Sequence, residues 1–248
     1  RRRVEARAVS TTPARIGLAG WSEAVSKYRT HFPGTGSGLT RYAETFDAVE
    51  VNASFYRAVR AETFASWAEQ TPEGFRFSVK INRAVTHAAR LSANAKLEQA
   101  LEPMMSLGTK LAAVLIQLPP TLVHEPDRDA AFLTRLRGIY AGTLAWEPRH
   151  PSWESPEARA LVVEYGVTPV RTEIPEPGAA HPAAGAYVRL HGTPRRYYSA
   201  YSSADLTALA TWLRAAPPPT ITIFDNTASS AGVRNALELI ALMASASA

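Results

Sequence analysis

The sequence predicts an α/β fold, a single TIM-like (β/α)8 barrel, and three observations support this. Eight short strand-like runs follow one another along the chain, and most are separated by stretches with helical spacing of apolar residues. In seven of the runs, polar or charged residues occupy alternate positions of one parity, so that their side chains share one face of the strand. The length of 248 residues suits one such barrel. Because helices cover the outside of a parallel barrel, we expect the polar parity to face the lumen near its C-terminal mouth.

The strand-like runs share alternation between apolar and polar positions. In the second run, Val49 and Val51 alternate with Glu50 and Asn52, and successive side chains of a strand point to opposite faces. The runs are 15–21, 48–55, 76–81, 112–118, 144–149, 168–173, 186–191 and 220–226. The residues that this parity assigns to the lumen are Glu50, Lys80, Gln117, Glu147, Arg149, Arg171, Glu173, Arg189, His191 and Asn226.

The segments between the strands supply the helices, with one exception. Apolar residues recur at i, i+3, i+4 and i+7 in residues 39–46, 97–104, 206–213 and 233–240. Between the sixth and seventh strands, residues 174–185 contain Pro175, Pro177 and Pro182, which oppose a helix. We therefore expect a proline-rich loop in place of the sixth helix.

The amino-acid composition excludes some kinds of chemistry and favours anionic partners. The absence of cysteine excludes disulfides, thiolate metal sites and cysteine nucleophiles. The chain has 27 Lys and Arg against 22 Asp and Glu, a net charge of +5 that favours anionic partners. Four of these cations lie in the first seven residues, so we expect residues 1–14 to form a flexible basic arm and residues 15–248 the barrel domain. No apolar run reaches the ~18 residues of a membrane span, and we expect a cytoplasmic protein.

Several motifs resemble one family, the YecE-like proteins, catalogued as domain of unknown function 72. In chain order they are GWS at 20–22, FDAVEVN at 46–52, FYR at 55–57, PEGFRFSVK at 72–80, TH at 86–87, QLPP at 117–120, RHPSW at 149–153, YVRLHG at 187–192 and RNAL at 234–237. The resemblance implies a TIM-like barrel and no agreed reaction. The chain departs from the family pattern at Ala19, at Pro148 and at Asp225-Asn226, where the aspartate adds a carboxylate near the mouth.

The candidate site combines acid–base groups with cations and aromatic rings. A lumen filled with charges is a poor stabiliser compared with apolar packing, so we interpret it as functional in preference to a set of structural ion pairs. The predicted catalytic residues are Glu50, Lys80, Glu147 and His191. The predicted ligand-binding residues are Trp21, Asn52, Tyr56, His87, Gln117, Arg149, His150, Arg171, Arg189, Arg195, Asp225 and Asn226, where arginines suit phosphate and aromatic rings suit a base.

A divalent metal is a further expectation. Glu50, Glu147 and His191 come from three strands and share a parity, and Asp225 could add an oxygen if the last strand bulges next to an inward Asn226. Such ligands suit Mg²⁺, Mn²⁺ or Zn²⁺. Lys80, Arg149 and Arg189 oppose this prediction, because their charge repels a cation.

Three functions remain open at this point. The first is a hydrolase or lyase acting on a phosphate-bearing ligand, with nucleic acid as the favoured class and the barrel-shaped apurinic endonucleases as an analogy of fold. The second is a non-catalytic module that binds an anion or nucleic acid. The third is a sugar-phosphate isomerase with Glu147 or Glu50 as base and Lys80 as electrophile.

Overall fold

The computed structural model describes residues 14–176, 178–183, 185–229 and 231–245. Eight strands pair in chain order and close into a parallel barrel, since β1 pairs with both β2 and β8. The strands are β1 Ala14–Ala19, β2 Ala48–Val51, β3 Arg76–Lys80, β4 Leu111–Gln117, β5 Thr143–Glu147, β6 Thr168–Arg171, β7 Tyr187–Leu190 and β8 Thr220–Phe224. The predicted basic arm at residues 1–14 lies outside the described residues except for Ala14, which begins β1.

Helices cover the barrel between most strands. They are α1 Ser22–Lys27, α2 Gly38–Ala43, α3 Ala53–Tyr56, α4 Ala61–Glu69, α5 Lys96–Leu101, α6 Pro126–Ile139, α7 Pro156–Glu164, α8 Ser203–Ala215 and α9 Ala231–Ser245. A π-helical turn at Ala84–Ala88 and 3₁₀ segments at Glu102–Lys110 and Pro151–Glu154 complete the connections. The described part of residues 172–186 contains no helix, which confirms the proline-rich loop.

Local sequence explains where these helices begin. Ser202 accepts from the backbone of Asp205, whose carboxylate accepts from the Ser202 backbone in return, so a capping box starts α8. Ser155 caps α7 ahead of Pro156, a residue suited to the first helical position. None of the helices in the described residues is both long and apolar enough to cross a membrane.

The barrel has two separate apolar layers. Outside, residues such as Val49, Phe77 and Trp146 are buried between strands and helices. Inside, a small cluster closes the N-terminal half of the lumen, and it consists of Ala113, Leu115, Ala145, Tyr187, Ile221 and Ile223. The polar residues stand above this floor at the C-terminal end of the strands, which is where barrel enzymes carry their chemistry.

The parity prediction is wrong for two strands. In β6, Val170 pairs with Tyr187, whose hydroxyl lies in the lumen, so Arg171 points outward. The Arg171 guanidinium lies 5.3 Å from the centre of the Trp212 ring of α8 and donates to the Ala180 carbonyl at 3.1 Å. With a proline-rich loop where a helix would pack, the outer face of β6 accepts a charged side chain. Glu173 follows the end of β6 and is exposed, so it is not a lumen residue either.

The second strand whose inner face differs from the prediction is β8. Its Ile223 pairs with Arg189 on the inner face, so Asp225 continues that face without any bulge and Asn226 turns away from the lumen. Asn226 Nδ2 donates to the Ser199 carbonyl at 2.9 Å and to Asn235 Oδ1 at 3.1 Å. Its role is to hold the loop after β7 against α9. Thr222 on the same outer face is buried against the helices, because a threonine packs well on a pleated surface.

Candidate active site at the barrel mouth

Arg189 of β7 is the centre of the polar layer and is 1% exposed. Its Nε donates to both carboxylate oxygens of Glu50, at 3.1 and 2.9 Å, and its Nη2 donates to Glu50 Oε1 at 2.7 Å. Tyr187 donates its hydroxyl to Glu50 Oε2 at 2.9 Å and lies 2.7 Å from Ser78 Oγ. Glu50 is therefore fully buried and fully paired, a geometry that leaves it no room to act as a base.

The opposite side of the same guanidinium holds two more carboxylates. Arg189 Nη1 lies 3.0 Å from Asp225 Oδ2 and 3.4 Å from Glu147 Oε2. His191 stands between them, with Nδ1 2.8 Å from Asp225 Oδ2 and Nε2 3.4 Å from Glu147 Oε1. The latter contact lacks hydrogen-bond geometry, so His191 Nε2 has no hydrogen-bond partner among the residues that the structure describes.

Two arginines contact Glu147 from the solvent side. Arg149 Nη2 lies 3.0 Å and Arg196 Nη2 lies 3.8 Å from Glu147 Oε1. Burial alone would raise the pKa of Glu147, but His191, Arg189 and Arg149 outweigh it and lower that pKa to about 2. Glu147 is thus a permanent carboxylate at neutral pH, and it orients the cations around it.

Lys80 differs from the other cations of the mouth. It is 7% exposed, its Nζ donates to Gln117 Oε1 at 2.8 Å, and the same atom lies 4.1 Å from the centre of the Phe55 ring. Among the described residues, no carboxylate lies within ion-pair distance of its Nζ. Burial, with help from the positive charge of Arg189, lowers the pKa of Lys80 to about 8 although the three carboxylates oppose the shift.

Further basic groups surround Lys80. His87 lies edge-on to Phe55 at 5.1 Å between ring centres, and its Nδ1 is 2.8 Å from Thr86 Oγ1. Burial lowers the pKa of His87, and the nearby charges of Lys80, Arg83 and Arg149 lower it further. His87 therefore belongs to a group of basic side chains near Lys80, which also includes Arg83 and Arg149.

The rim carries exposed rings and arginines. Tyr56 is 72% exposed next to Phe55. In the loop after β7, the Arg195 guanidinium lies 3.9 Å from the centre of the Tyr198 ring. His150 instead has a local role, because its Nδ1 accepts from the Ser152 backbone and caps the 3₁₀ turn.

Two predicted binding residues, Trp21 and Asn52, line a cavity of ≈ 200 Å³ beside the mouth. The Trp21 ring meets the Trp67 ring edge-on at 5.0 Å between centres, and Arg57 and Thr227 contribute polar walls. None of Glu50, Lys80, Glu147 or His191 lines this cavity. It is therefore a neighbouring hollow near the ends of β1 and β2, separate from the acid–base cluster.

The predicted metal ligands do not fit a metal ion. The Arg189 guanidinium contacts both Glu50 and Glu147, so the charge that a cation would supply is already present. In the part of the chain that the structure describes, no three His, Asp or Glu side chains converge as metal ligands do. The described residues give no support to a metal site at Glu50, Glu147 and His191, and that site stays a prediction.

Sequence reasoning missed Tyr187 and Ser78, which complete the environment of Glu50. A signal was present, since Tyr187 shares the parity of Arg189 and Ser78 shares that of Lys80. Six of the predicted site residues form one network of ion pairs and hydrogen bonds: Glu50, Glu147, Arg149, Arg189, His191 and Asp225. Lys80 and Gln117 form a separate hydrogen-bonded pair.

Comparison with known proteins identifies the family of this chain. The profile of the family described as "Protein of unknown function DUF72" matches residues 15–248. The UPF0759 protein YunF of Bacillus subtilis (strain 168) is 33% identical over 151 residues, which cover 57% of this chain and 52% of YunF. The UPF0759 protein YecE of Escherichia coli (strain K12) is 31% identical over 119 residues, 47% of this chain and 43% of YecE. These matches span about half the length of the curated relatives.

Solved structures share the fold. A DUF72 family protein from Enterococcus faecalis V583 aligns with a TM-score of 0.75 at 22% identity, over 93% of this chain and 95% of that chain. A DUF72 family protein from Thermotoga maritima MSB8 aligns with a TM-score of 0.73 at 24% identity, over 93% and 99%. A family profile that matches nearly the whole barrel is specific, and this chain belongs to the DUF72 family of proteins of unknown function.

Proposed function

We propose that the mouth of the barrel binds a phosphate-bearing ligand, with nucleic acid the favoured class, and acts on it as a hydrolase or lyase. The observation that carries the proposal is the surplus of positive charge once the buried carboxylates are paired. Arg189 contacts Glu50, Glu147 and Asp225, and Arg149 and Arg196 add two more cations around Glu147 alone. Lys80 adds a cation that faces an amide oxygen. An anion is the ligand that balances such a mouth.

The exposed groups at the rim favour a ligand that carries rings as well as phosphate. Arg149 has 22% of its side chain exposed and can turn part of its guanidinium to a phosphate oxygen. Tyr56 is exposed, and Tyr198 is partly exposed beside the Arg195 guanidinium; such aromatic rings suit stacking on bases. Arg83 and Arg195 are exposed on the same rim and can contact a phosphate backbone.

Acid–base chemistry falls to two groups in this proposal. Lys80, with its pKa near 8, can accept and return a proton at neutral pH. His191 is oriented by Asp225 through Nδ1 and carries its second nitrogen toward Glu147. The isomerase alternative is less well supported, because a base at Glu50 is buried under Arg189 and a base at Glu147 with a pKa of about 2 is too weak.

Fluorescence polarisation with a short oligodeoxynucleotide, with and without a 5′-phosphate, tests the binding. We expect the phosphorylated probe to bind more tightly, with an affinity that falls steeply with salt. Arg149→Ala should weaken binding by about 10-fold or more, because a charge-assisted contact contributes about 1.5–3 kcal/mol. Arg159→Ala is the matched control, since Arg159 is an exposed arginine of α7 that pairs with Glu154.

One outcome would contradict the proposed binding site, and another would contradict the proposed catalysis. Equal affinity for both probes, unchanged by Arg149→Ala, would contradict a phosphate site at the mouth. Tight binding with no release of products on prolonged incubation would favour the non-catalytic binding module instead.

A further inference from the structure

We infer that Lys80 is a nucleophile that forms an imine with an aldehyde or ketone group of the ligand bound at the mouth. This inference deepens the proposed function, on whose site it rests, by naming a carbonyl as part of the ligand. It accounts for a buried cation of the mouth that, among the described residues, has an amide and an aromatic ring as neighbours and no carboxylate partner.

The first support is the environment of the amine. Lysines that form Schiff bases are desolvated or lie next to another cation, which favours the neutral, nucleophilic form. Lys80 Nζ has the Phe55 ring on one side at 4.1 Å and a single acceptor, Gln117 Oε1, on the other. Arg189, which is buried, adds positive charge nearby, and the pKa of Lys80 is correspondingly lowered to about 8.

The second support is the position of the amine in the barrel. Lys80 pairs with Leu115 at the end of β3, but its side chain reaches upward to Gln117, which pairs with Glu147 in the neighbouring strand. The amine therefore lies in the same layer as the charged network and below the open mouth. A purely structural lysine at this level would be expected to pair with one of the carboxylates, as Arg149 does with Glu147.

The chemistry needs no further reactant. The neutral amine nitrogen attacks the carbonyl carbon, a C–N bond forms, and the electron pair of the C=O bond moves to oxygen, which takes a proton. Loss of that oxygen as water leaves a protonated imine, so an ammonium and a carbonyl become an iminium and one water. The iminium withdraws electrons from the adjacent carbon, which is the activation that a lyase requires.

The test compares the four lysines of the chain, Lys27, Lys80, Lys96 and Lys110, within one molecule. The folded protein is incubated near pH 7.5 with pyridoxal 5′-phosphate or pyridoxal, reduced with borohydride, digested and mapped by mass spectrometry. A pKa of about 8 gives Lys80 roughly a hundredfold larger amine fraction than a lysine with the ordinary pKa of about 10.4. Lys27 is an internal control, because its pairing with Glu23 raises its pKa.

With limiting probe, we expect Lys80 to carry at least about tenfold more label than Lys27 or Lys96. This margin is smaller than the ratio of the neutral amine fractions, because an amine with a lower pKa is also a weaker nucleophile. Lys80→Arg should abolish this selective label while keeping a positive charge at position 80. Lys96→Arg should leave the label at Lys80 unchanged. Circular dichroism melts of each variant confirm that the barrel is intact.

The outcomes separate the two proposals. Label that falls on Lys27 and Lys96 in preference to Lys80, in protein that binds phosphate normally, overturns the imine and leaves the proposed function standing. Selective label at Lys80 that is equal for pyridoxal and pyridoxal 5′-phosphate supports the imine and counts against the phosphate site.

Discussion

The buried ion network makes Arg189 the most sensitive position of the barrel. Replacing it with methionine removes the guanidinium partner of Glu50, which is 0% exposed, and one of the arginines that contact Glu147, which is 2% exposed. Removing one partner of a buried ion pair typically costs about 3–5 kcal/mol. Because Arg189 contacts three carboxylates, we expect Arg189→Met to lose about 5 kcal/mol, which is comparable with the whole stability of a small domain.

Urea denaturation followed by tryptophan fluorescence measures this loss. The matched control is Arg159→Met, which breaks a pair whose side chains are 68% and 70% exposed and should cost at most about 1 kcal/mol. Adding Glu50→Gln to Arg189→Met should recover part of the loss, because it removes one unpaired charge while keeping a polar partner for Tyr187. A loss for Arg189→Met no larger than that of the control would refute the role of Arg189 as the counter-charge of the lumen.

Three further predictions test other parts of the structure. The pKa of Glu147 is lowered from 4.5 to about 2, so its ionisation stabilises the fold fully above pH 4.5, and about 3 kcal/mol of stability should be lost as pH falls toward 2. Glu147→Gln should lack this acid-dependent loss in denaturation curves, and parallel curves for the two proteins would contradict it. Arg171→Ala should change oligonucleotide affinity by no more than about twofold relative to the unsubstituted protein, because the Arg171 side chain lies outside the lumen. A loss of affinity equal to that of Arg149→Ala would contradict this and indicate that Arg171 contacts the ligand. Gly17→Ala should lower the melting temperature sharply, because a Cβ there would meet the Ala48 carbonyl oxygen at 2.0 Å; an unchanged melting curve would argue against this close approach of β1 and β2.

The barrel and most of its lumen could be predicted from the order of the residues. In β2, β3, β4, β5 and β7, helices cover the outer face, so the apolar parity is unambiguous and Glu50, Lys80, Gln117, Glu147 and Arg189 point inward as predicted. The same rule failed in β6, where a proline-rich loop replaces the helix and Arg171 packs outside on Trp212. It failed in β8 because Thr222 and Asn226 are polar residues that are buried on the outer face.

Which charged side chains contact one another depends on how the closed barrel arranges them in space. Parity places side chains on a face, but it does not say which of the carboxylates a single guanidinium can reach across the lumen. Closure of the barrel brings β2, β5 and the end of β8 around β7, so the single Arg189 guanidinium contacts Glu50, Glu147 and Asp225. The same closure leaves Lys80 with an amide and an aromatic ring as neighbours. A pKa depends on this arrangement of burial and charge in space, and for that reason the character of Lys80 could not be derived from the order of the residues.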